Sequence, residues 1–259
     1  LSNYWHTMGD LRKHTMEEIW NQDAYKTMRV NMLQDKPCKE CTKCYEQEQA
    51  GFFNGRKSAN KHHGHQIHRI HNTKDDGTYS DFQMTYWDIR FSNLCNLRCR
   101  SCGHIFSSQW YQDQVQLAGP HWKLHNSVLN YAGRSDNDMW TQLEPHLDYV
   151  EQIYFAGGEP LMDPQHYKIL DMLEPYGKDI EINYATNGTT LGIKGGRSVH
   201  EYWPKFRSVA VNVSIDGIGP VYNYIRGNGD WNVVVQNIQE IKKIPNISRI
   251  VGAVAVQVS

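Results

Sequence analysis

Three cysteines stand close together in the stretch NLCNLRCRSCG, residues 93–103, and this feature constrains the chain more than any other. Cys95, Cys99 and Cys102 are separated by three residues and then by two, and no fourth cysteine follows. A 4Fe–4S cluster in an electron-transfer protein usually has four cysteine ligands, and a structural zinc ion has four closed ligands. Three thiolates therefore predict a metal centre with one open position. Zinc held by these cysteines and His104 is the alternative.

The remaining cysteines form a second triplet. Cys38, Cys41 and Cys44 lie in CKECTKC, so the six cysteines fall into two sets of three. Six cysteines are enough for three disulfides in a secreted protein, but cysteines so close in sequence rarely bridge each other. No export signal opens the chain. The clustered thiolates therefore predict metal or cluster binding in a reducing compartment, the cytoplasm.

Composition limits the classes of partner. The chain has 259 residues, with 27 Lys and Arg against 28 Asp and Glu and a formal net charge of −1. This balance favours neither a nucleic-acid nor a membrane-surface partner, and no run of eighteen apolar residues predicts a membrane span. The sequence begins at Leu1 and ends inside the apolar run RIVGAVAVQVS. We therefore expect a piece of a longer polypeptide.

Strand and helix patterns alternate from Tyr86 onward. Strands are predicted at YWDIRFS, VEQIYFAGG, DIEINYATNG, SVAVNVSIDG and RIVGAVAVQVS, and helices at FSSQWYQDQVQLAG, PQHYKILDMLEPYG and WNVVVQNIQEIKKI. Such alternation indicates a parallel α/β architecture. We expect this core to span residues 84–259, after an N-terminal module at 1–50 and a polar, His-rich linker at 51–83.

The N-terminal module is predicted to contain one long helix over residues 15–33, TMEEIWNQDAYKTMRVNML. Thr15 and Glu18 have the spacing of a capping box, and Pro37 follows the helix. The linker contains KHHGHQIHRIH, whose five histidines suit a solvated helix face or linker; metal binding is the alternative.

The fourth predicted strand has two unlike faces. One face carries Val209, Val211, Val213 and Ile215, and the other carries Ala210, Asn212, Ser214 and Asp216. A strand that is buried on both sides of a doubly wound sheet would be apolar on both. A face that becomes polar toward its carboxyl end suits a barrel or half-barrel with a site there. An open sheet with a ligand crevice at the same ends is the competing interpretation.

The motif GGEP follows the second predicted strand. Gly157 and Gly158 allow close approach of a ligand to the backbone, and Glu159 offers a carboxylate to a cationic group. A Gly-Gly turn before a helix is also common for structural reasons alone. The motif gains weight from its position after a strand that follows a three-cysteine loop.

Together these motifs resemble a known family. CNLRCRSC matches the CxxxCxxC motif of radical S-adenosylmethionine (radical SAM) enzymes, and GGEP is similar to their second motif. SIDG, with IRG after it, is similar to the fourth-strand region of the subfamily that carries SPASM or twitch extensions. The resemblance covers residues 84–259. It implies a partial (β/α)6 TIM-like barrel, C-terminally incomplete in this chain.

The resemblance also implies roles for individual residues. Cys95, Cys99 and Cys102 would bind three irons of a 4Fe–4S cluster whose open iron takes the amino and carboxylate groups of SAM. The backbone of Gly157 and Gly158 would hold the SAM amino group together with the carboxylate of Glu159.

Two further residues match the family at the fourth strand. Ser214 would contact the ribose of SAM, and Arg226 would pair with its carboxylate, a bidentate role that suits Arg. A polar strand end for Ser214 and a surface charge for Arg226 are the alternatives. Asp216 is a candidate substrate contact or proton acceptor, and a turn-forming Asp is equally consistent with its position.

The N-terminal module resembles the end of a SPASM or twitch module, on TMEEIWNQDAYKTMR followed by PCKECTKC. Such modules bind auxiliary iron–sulfur clusters, so Cys38, Cys41 and Cys44 would ligate one. Its fourth ligand would be an upstream cysteine or the substrate. Zinc is the alternative metal for this site.

Two departures from the family pattern stand out. Ser101 occupies the position before the third cysteine, where the family usually has an aromatic residue, and this leaves the adenine contact unassigned. The distance from Cys102 to Gly157 predicts an insertion around residues 119–145.

The resemblance implies an enzyme that cleaves SAM reductively to a 5′-deoxyadenosyl radical, with a one-electron reductant such as flavodoxin or ferredoxin. Relatives with such modules often modify peptide or protein side chains, and this is the expected substrate class. A nucleotide or another small molecule is the alternative substrate. A non-catalytic zinc or iron–sulfur binding module is the alternative from another class.

Overall fold

The computed structural model describes residues 8–11, 13–132 and 139–255, and the chain divides into two compact units, Leu1–Gln83 and Met84–Ser259. None of the helices in these ranges combines the length and the apolar character that crossing a membrane requires.

The first unit is helical. Its α-helices are α1 (Met16–Trp20), α2 (Asp23–Leu33), α3 (Thr42–Gln49) and α4 (Gly55–His63), and 3-10 helices span Lys39–Cys41 and Gly64–Asn72. The predicted capping box of α1 is confirmed, because the Thr15 hydroxyl accepts from the Glu18 amide and the Glu18 carboxylate accepts from the Thr15 amide.

The single helix predicted over residues 15–33 is in fact two, separated at Asn21 and Gln22. Asn21 exchanges two hydrogen bonds with the backbone of Tyr79: its side-chain nitrogen donates to the carbonyl at 3.0 Å, and its oxygen accepts from the amide at 2.8 Å. Gln22 has an extended backbone, with φ −72° and ψ 158°. A long-range contact therefore interrupts a helix that the local periodicity favours.

The segment expected as a linker, residues 51–83, instead carries α4 and the longer 3-10 helix, and it helps to hold the first unit together. Asn54 begins α4, and its side-chain nitrogen donates to the carbonyl of Cys44 at 2.7 Å. The Arg29 Nε donates to the carbonyl of Gly77 at 2.7 Å. Gly77 has φ +83°, and a Cβ there would lie 2.4 Å from the Lys26 carbonyl oxygen, so the position requires glycine.

The second unit is built on parallel strands, as predicted. The strands β1 (Tyr86–Ile89), β3 (Gln152–Phe155), β4 (Glu181–Thr186), β5 (Ser208–Ser214) and β7 (Ile247–Ala253) form one sheet in the order β1-β3-β4-β5-β7. A short antiparallel ribbon pairs β2 (Arg98–Cys99) with β6 (Arg226–Gly227). The helices are α5 (Tyr111–His125), α6 (Trp140–Leu143), α7 (Pro164–Leu173), α8 (Val199–Tyr202), α9 (Pro220–Ile225) and α10 (Trp231–Ile241).

The strand order bears on the two expected architectures, a partial barrel and an open doubly wound sheet. Each parallel strand lies beside the next one along the chain, so the sheet grows in one direction only. Right-handed crossovers that always step in one direction place their helices on one face, whereas a doubly wound sheet reverses its order. The α/β prediction is confirmed, and the order is consistent with a partial barrel.

The two faces of the sheet differ as β5 predicts. On the helical face, the Tyr184 ring packs against Trp203 with centroids 5.0 Å apart, and Val213 lies beside Val234 of α10 across Gly188. The opposite face, called the open face below, carries the half-buried Asn212 and Ser214. Chemistry is therefore expected on the open face.

The region of the expected insertion contains a kinked helix. In α5, Gly119 has φ 83° and ψ 176°, which is not helical, and Pro120 begins a further helical stretch. Residues 133–138 of the expected insertion lie outside the described residues, as do residues 256–259 of the last predicted strand.

Candidate functional site

The cysteine loop follows β1 and is fastened to a distant segment of the chain. In the β2–β6 ribbon, Cys99 pairs with Arg226 and Arg98 pairs with Gly227. The Arg100 amide donates to the carbonyl of Ile225 at 2.8 Å. The ribbon therefore places Arg226 beside the second cysteine of the motif.

All three thiols of the loop are free, and their burial decreases along the chain: Cys95 and Cys99 are buried and Cys102 is half-buried. Burial raises the pKa of each thiol, and that of Cys99 to about 11. A buried thiol keeps its proton unless a positive charge takes the proton's place, and bound metal supplies that charge. Three thiols on one loop are donors of the type that holds iron–sulfur clusters.

Two of the three sulfurs receive N–H groups from distant strand ends. The side-chain nitrogen of Asn187, directly after β4, lies 3.8 Å from the Cys95 Sγ, and the Arg226 Nη1 lies 3.7 Å from the Cys99 Sγ. The Leu97 amide adds a local donor to Cys95 at 3.5 Å. Hydrogen bonds to the sulfurs are among the factors that set the potential of an iron–sulfur cluster.

A closed set of hydrogen bonds orients the amide of Asn187. The amide and hydroxyl of Thr189 donate to its Oδ1 at 2.9 and 2.6 Å, so the Nδ2 must be on the other side. This Nδ2 donates to the Asn96 Oδ1 at 2.9 Å, and the Asn96 Nδ2 donates to the Thr189 hydroxyl at 2.8 Å. The N–H that faces Cys95 is thus fixed by its neighbours.

The two glycines of GGEP allow the second motif to lie directly against the cysteine loop. The Gly158 amide donates to the carbonyl of Ser92, and a Cβ on Gly158 would lie 2.1 Å from the Leu94 oxygen. Gly157 has φ +120°, a conformation that side chains rarely adopt. Both glycines are therefore required by packing as well as by the expected ligand.

Glu159 connects the ends of β3 and β4. Its carboxylate accepts hydrogen bonds from the Leu161 amide at 3.1 Å, the Thr186 hydroxyl at 2.8 Å and the Asn187 amide at 2.7 Å. The residue is 1% exposed, and burial raises its pKa to about 7. A carboxylate has about four acceptor positions, so one remains for an incoming ammonium group.

Arg226 and Asp216 form an ion pair. Their Nη2 and Oδ2 atoms are 2.8 Å apart, and their side chains are 12% and 1% exposed. The Asp216 Oδ1 also accepts from the Ala255 amide at 2.9 Å. The alternative of a surface charge for Arg226 is therefore wrong. Asp216 is not an isolated turn residue, because its carboxylate is paired with a guanidinium.

Three buried polar atoms in and beside this pair have no hydrogen-bond partner among the described residues. The two donors among them are the Nε of Arg226 and the hydroxyl of Tyr222; the Asp216 Oδ2 likewise has no hydrogen bond, although it lies 2.8 Å from the Arg226 Nη2 in the ion pair. Tyr222 is fully buried, its pKa is raised by burial to about 12, and it is close enough to Arg226 and Cys99 to interact with their charges. Unpaired donors in a buried site suit an anionic ligand. The sequence interpretation missed Tyr222, although it stands four residues before Arg226.

The remaining candidates are less central. Ser214 is half-buried at the end of β5, on the open face. Ser101 is exposed. The buried ring of His104 packs against Tyr111 and Trp122, with centroids 5.3 and 5.2 Å apart.

A single metal ion fits the described ranges poorly. There, no group of three or more His, Cys, Asp or Glu side chains is arranged to hold one metal ion. The thiolates of an iron–sulfur cluster bind different iron atoms and need not converge on one point.

The second cysteine triplet lies in one continuous turn of the first unit. Cys38 precedes the 3-10 helix that ends at Cys41, and α3 follows with Cys44. Cys38 and Cys44 are 2% and 6% exposed, while Cys41 is half-buried. Burial raises the pKa of the Cys38 thiol, so a metal bound by this thiol has to displace its proton.

Family models match both units. The model of the Radical SAM superfamily matches residues 89–253, and the SPASM model, an iron–sulfur cluster-binding domain, matches residues 2–45. The chain belongs to the radical SAM superfamily. The expected class of radical SAM enzyme and the SPASM-type module are confirmed. The cofactors are accordingly a 4Fe–4S cluster, SAM and an auxiliary iron–sulfur cluster.

Individual relatives are distant. The GTP 3′,8-cyclase of Nautilia profundicola is 25% identical over 167 residues, which cover 62% of this chain and 45% of the cyclase. The structure of anSMEcpe with bound AdoMet and Cp18Cys peptide is 19% identical, with a TM-score of 0.42, and covers 64% of this chain and 42% of that one.

A third relative is Streptococcus suis SuiB bound to the precursor peptide SuiA. It is 15% identical, with a TM-score of 0.47, and covers 85% of this chain and 46% of that one. The chain thus spans a little less than half the length of each of these proteins.

Proposed function

We propose that this chain contains the catalytic core of an enzyme that cleaves SAM reductively and uses the 5′-deoxyadenosyl radical to modify a peptide or protein side chain. The observation that carries the proposal is the position of the cysteine loop. Asn187 and Arg226 hold Cys95 and Cys99 at the carboxyl ends of the parallel strands, beside the open face.

The polar groups of the site match the amino-acid end of SAM. The free acceptor position on Glu159 suits the ammonium group, with backbone from Gly157 and Gly158. The unpaired Nε of Arg226 and the Tyr222 hydroxyl suit the carboxylate. When bound, the cluster supplies one electron that breaks the C5′–S bond of SAM, and the protein's part is to orient SAM and exclude water.

Asp216 has a positioning role in this proposal. Its carboxylate lies 2.8 Å from the Arg226 Nη2 and restrains the guanidinium, whose Nε has no hydrogen-bond partner among the described residues. Ser214 remains the candidate ribose contact, because it lies on the same face of β5.

The open face favours a peptide over a nucleoside triphosphate. In the register of the sheet one row contains Asp88, Tyr154, Asn183, Ala210 and Arg249. Arg90 lies near this row and pairs with Asp88 at 3.1 Å. Of the two arginines, Arg90 is thus paired with a carboxylate, and Arg249 alone adds to this row a positive charge that is unpaired among the described residues. A triphosphate would favour an excess of cations.

Nucleotide chemistry is the second candidate. It is favoured by one observation, the GTP 3′,8-cyclase among the relatives, at 25% identity.

Anaerobic reconstitution of the full-length protein tests the proposal. We expect about eight iron and eight sulfide per chain, and 5′-deoxyadenosine after reduction. Cys99→Ala should abolish SAM cleavage. Stoichiometric zinc without SAM cleavage would instead support a non-catalytic binding module.

Substrate class is tested by adding candidates to the reconstituted protein. Peptides encoded beside the gene should increase 5′-deoxyadenosine formation, and deuterium from a labelled peptide should enter it. Stimulation and label transfer from GTP, with none from the peptides, would select the nucleotide candidate.

A further inference from the structure

We propose that the outer side of the β2–β6 ribbon, together with α9, is the docking surface for an acidic one-electron carrier protein of the flavodoxin or ferredoxin type. This ribbon surface comprises Arg98, Arg100, Trp110, Val221 and Tyr224. The inference rests on the proposed function, since SAM cleavage consumes an electron that must reach the site held by the cysteines.

The ribbon surface lies very close to the cluster ligands. Arg98 and Arg100 are exposed, and Cys99 between them is buried. Because successive side chains of a strand point to opposite faces, the two guanidinium groups and the thiol lie on opposite sides of one strand. An electron arriving at this surface has a single strand to cross, and the rate of electron transfer falls steeply with distance.

Both arginines are held in place by aromatic rings. The Arg100 guanidinium lies 3.9 Å from the ring centroid of Tyr224, and its Nε donates to the Tyr224 carbonyl at 3.1 Å. The Arg98 guanidinium lies 4.6 Å from the Trp110 ring centroid. Side chains that are ordered before binding lose less entropy when a partner arrives, so this surface is suited to binding.

The net positive charge of the ribbon surface indicates an acidic partner. Arg98 forms an ion pair with Asp113, whereas Arg100 has no carboxylate partner within the described ranges. The ribbon surface therefore has an uncompensated positive charge, which complements an acidic protein and steers its approach.

Apolar area surrounds this charge. On and just before α9, Ile218, Val221 and Tyr224 are 70%, 55% and 59% exposed. A small patch that mixes apolar and cationic groups suits the weak contact of a transient electron-transfer encounter. In that encounter the reduced carrier loses one electron and the centre held by Cys95, Cys99 and Cys102 gains it, with no bond made or broken.

Reduction kinetics of the full-length, cluster-loaded protein test the proposal. The probes are a flavodoxin in its hydroquinone form and a reduced ferredoxin, and dithionite serves as a small reductant that needs no docking surface. The measured quantity is the ratio of the carrier-driven rate to the dithionite-driven rate, so damage to the cysteine loop cancels.

We expect Arg100→Glu to lower this ratio about tenfold at low salt, because one steering charge is reversed. Raising the ionic strength should reduce the difference from the unmodified protein.

Asp113→Asn releases Arg98 from its ion pair and should raise the ratio of carrier-driven to dithionite-driven rates, a gain that structural damage does not produce. Arg207→Glu is the matched control: Arg207 is a half-exposed arginine just before β5, at the opposite end of the strands, and its ratio should not change.

Calorimetric titration with the oxidised carriers gives a readout that is independent of turnover. Binding that weakens in Arg100→Glu and strengthens in Asp113→Asn supports the proposal. Equal binding by Arg100→Glu and Arg207→Glu, or no binding of either carrier by the unmodified protein, overturns it. Self-association through this surface, or binding of nucleic acid in place of the carriers, also overturns it. Absence of dithionite-driven SAM cleavage counts against the proposed function instead.

Discussion

Asn187 directs its side-chain nitrogen to the sulfur of Cys95 at 3.8 Å, across 92 positions of sequence. Arg226 does the same for Cys99 at 3.7 Å. Cys102 differs, since its thiol is directed to the carbonyl of Gly103 at 3.8 Å. The three sulfurs therefore have unequal hydrogen bonding, and we expect the potential of a cluster bound by them to depend on residues outside the cysteine motif.

Replacing Asn187 by Asp should lower the reduction potential of the SAM-binding cluster. The change keeps the shape of the side chain, removes an N–H donor to sulfur and introduces negative charge, and each effect disfavours the reduced state. EPR-monitored redox titration of the reconstituted protein measures the shift. Thr189→Val, which removes only the hydroxyl that orients Asn187, should shift the potential less. An unchanged potential in Asn187→Asp would contradict a role for this hydrogen bond.

Replacing Asp216 by Ala should lower both stability and SAM affinity. Loss of one partner from a buried ion pair typically costs about 3 kcal/mol, which urea unfolding would measure. Arg226 would also lose the contact that orients it, so the Kd for SAM should rise. Asp216→Asn tests whether Asp216 is instead a proton acceptor in the reaction. Unchanged SAM affinity with complete loss of product would identify it as one.

The sequence predicted the features that depend on local spacing. Cysteine spacing, the GGEP turn and the alternating faces of β5 each need only neighbouring residues, and the parallel strands appear where these patterns place them. The polar face of β5 favoured a barrel over a doubly wound sheet, and the observed strand order is consistent with a partial barrel.

Features that depend on distant contacts could not be predicted in this way. The break at Asn21 arises from its bonds to Tyr79, 58 positions away. The donor role of Asn187 and the unpaired hydroxyl of Tyr222 exist only once the strand ends meet the cysteine loop. Their residue types are common in turns and helices, so nothing in the local sequence sets them apart.

The carboxyl group of Glu159 should make stability depend on pH. Its pKa is about 7 in the folded protein, against an ordinary value of 4.5 for a solvated Glu side chain, so the folded state binds the proton more tightly. The contribution of Glu159 to the free energy of unfolding is then greatest below pH 4.5 and falls by about 3 kcal/mol as the pH rises to 7.

Glu159→Gln isolates this effect. Its amide N–H would face the amide of Leu161 or of Asn187, leaving one buried backbone N–H without an acceptor, at a cost of about 1–3 kcal/mol. The variant should therefore be less stable than the unmodified protein at low pH, with a difference that narrows toward pH 7. Urea unfolding at several pH values measures it. A difference that is constant with pH would show that Glu159 does not titrate in this range.

The second cysteine triplet should hold a cluster of its own. Replacing Cys38, Cys41 and Cys44 together by Ser should reduce the iron content from about eight to about four per chain, because one of two 4Fe–4S clusters is lost. The EPR signal of the SAM-binding cluster, and its change when SAM is added, should persist, since that cluster has its own ligands. Cys99→Ala gives the converse result, with loss of the SAM-responsive signal and retention of the other. Zinc in the unmodified protein that disappears in the triple variant, with iron unchanged, would show that the N-terminal triplet binds zinc.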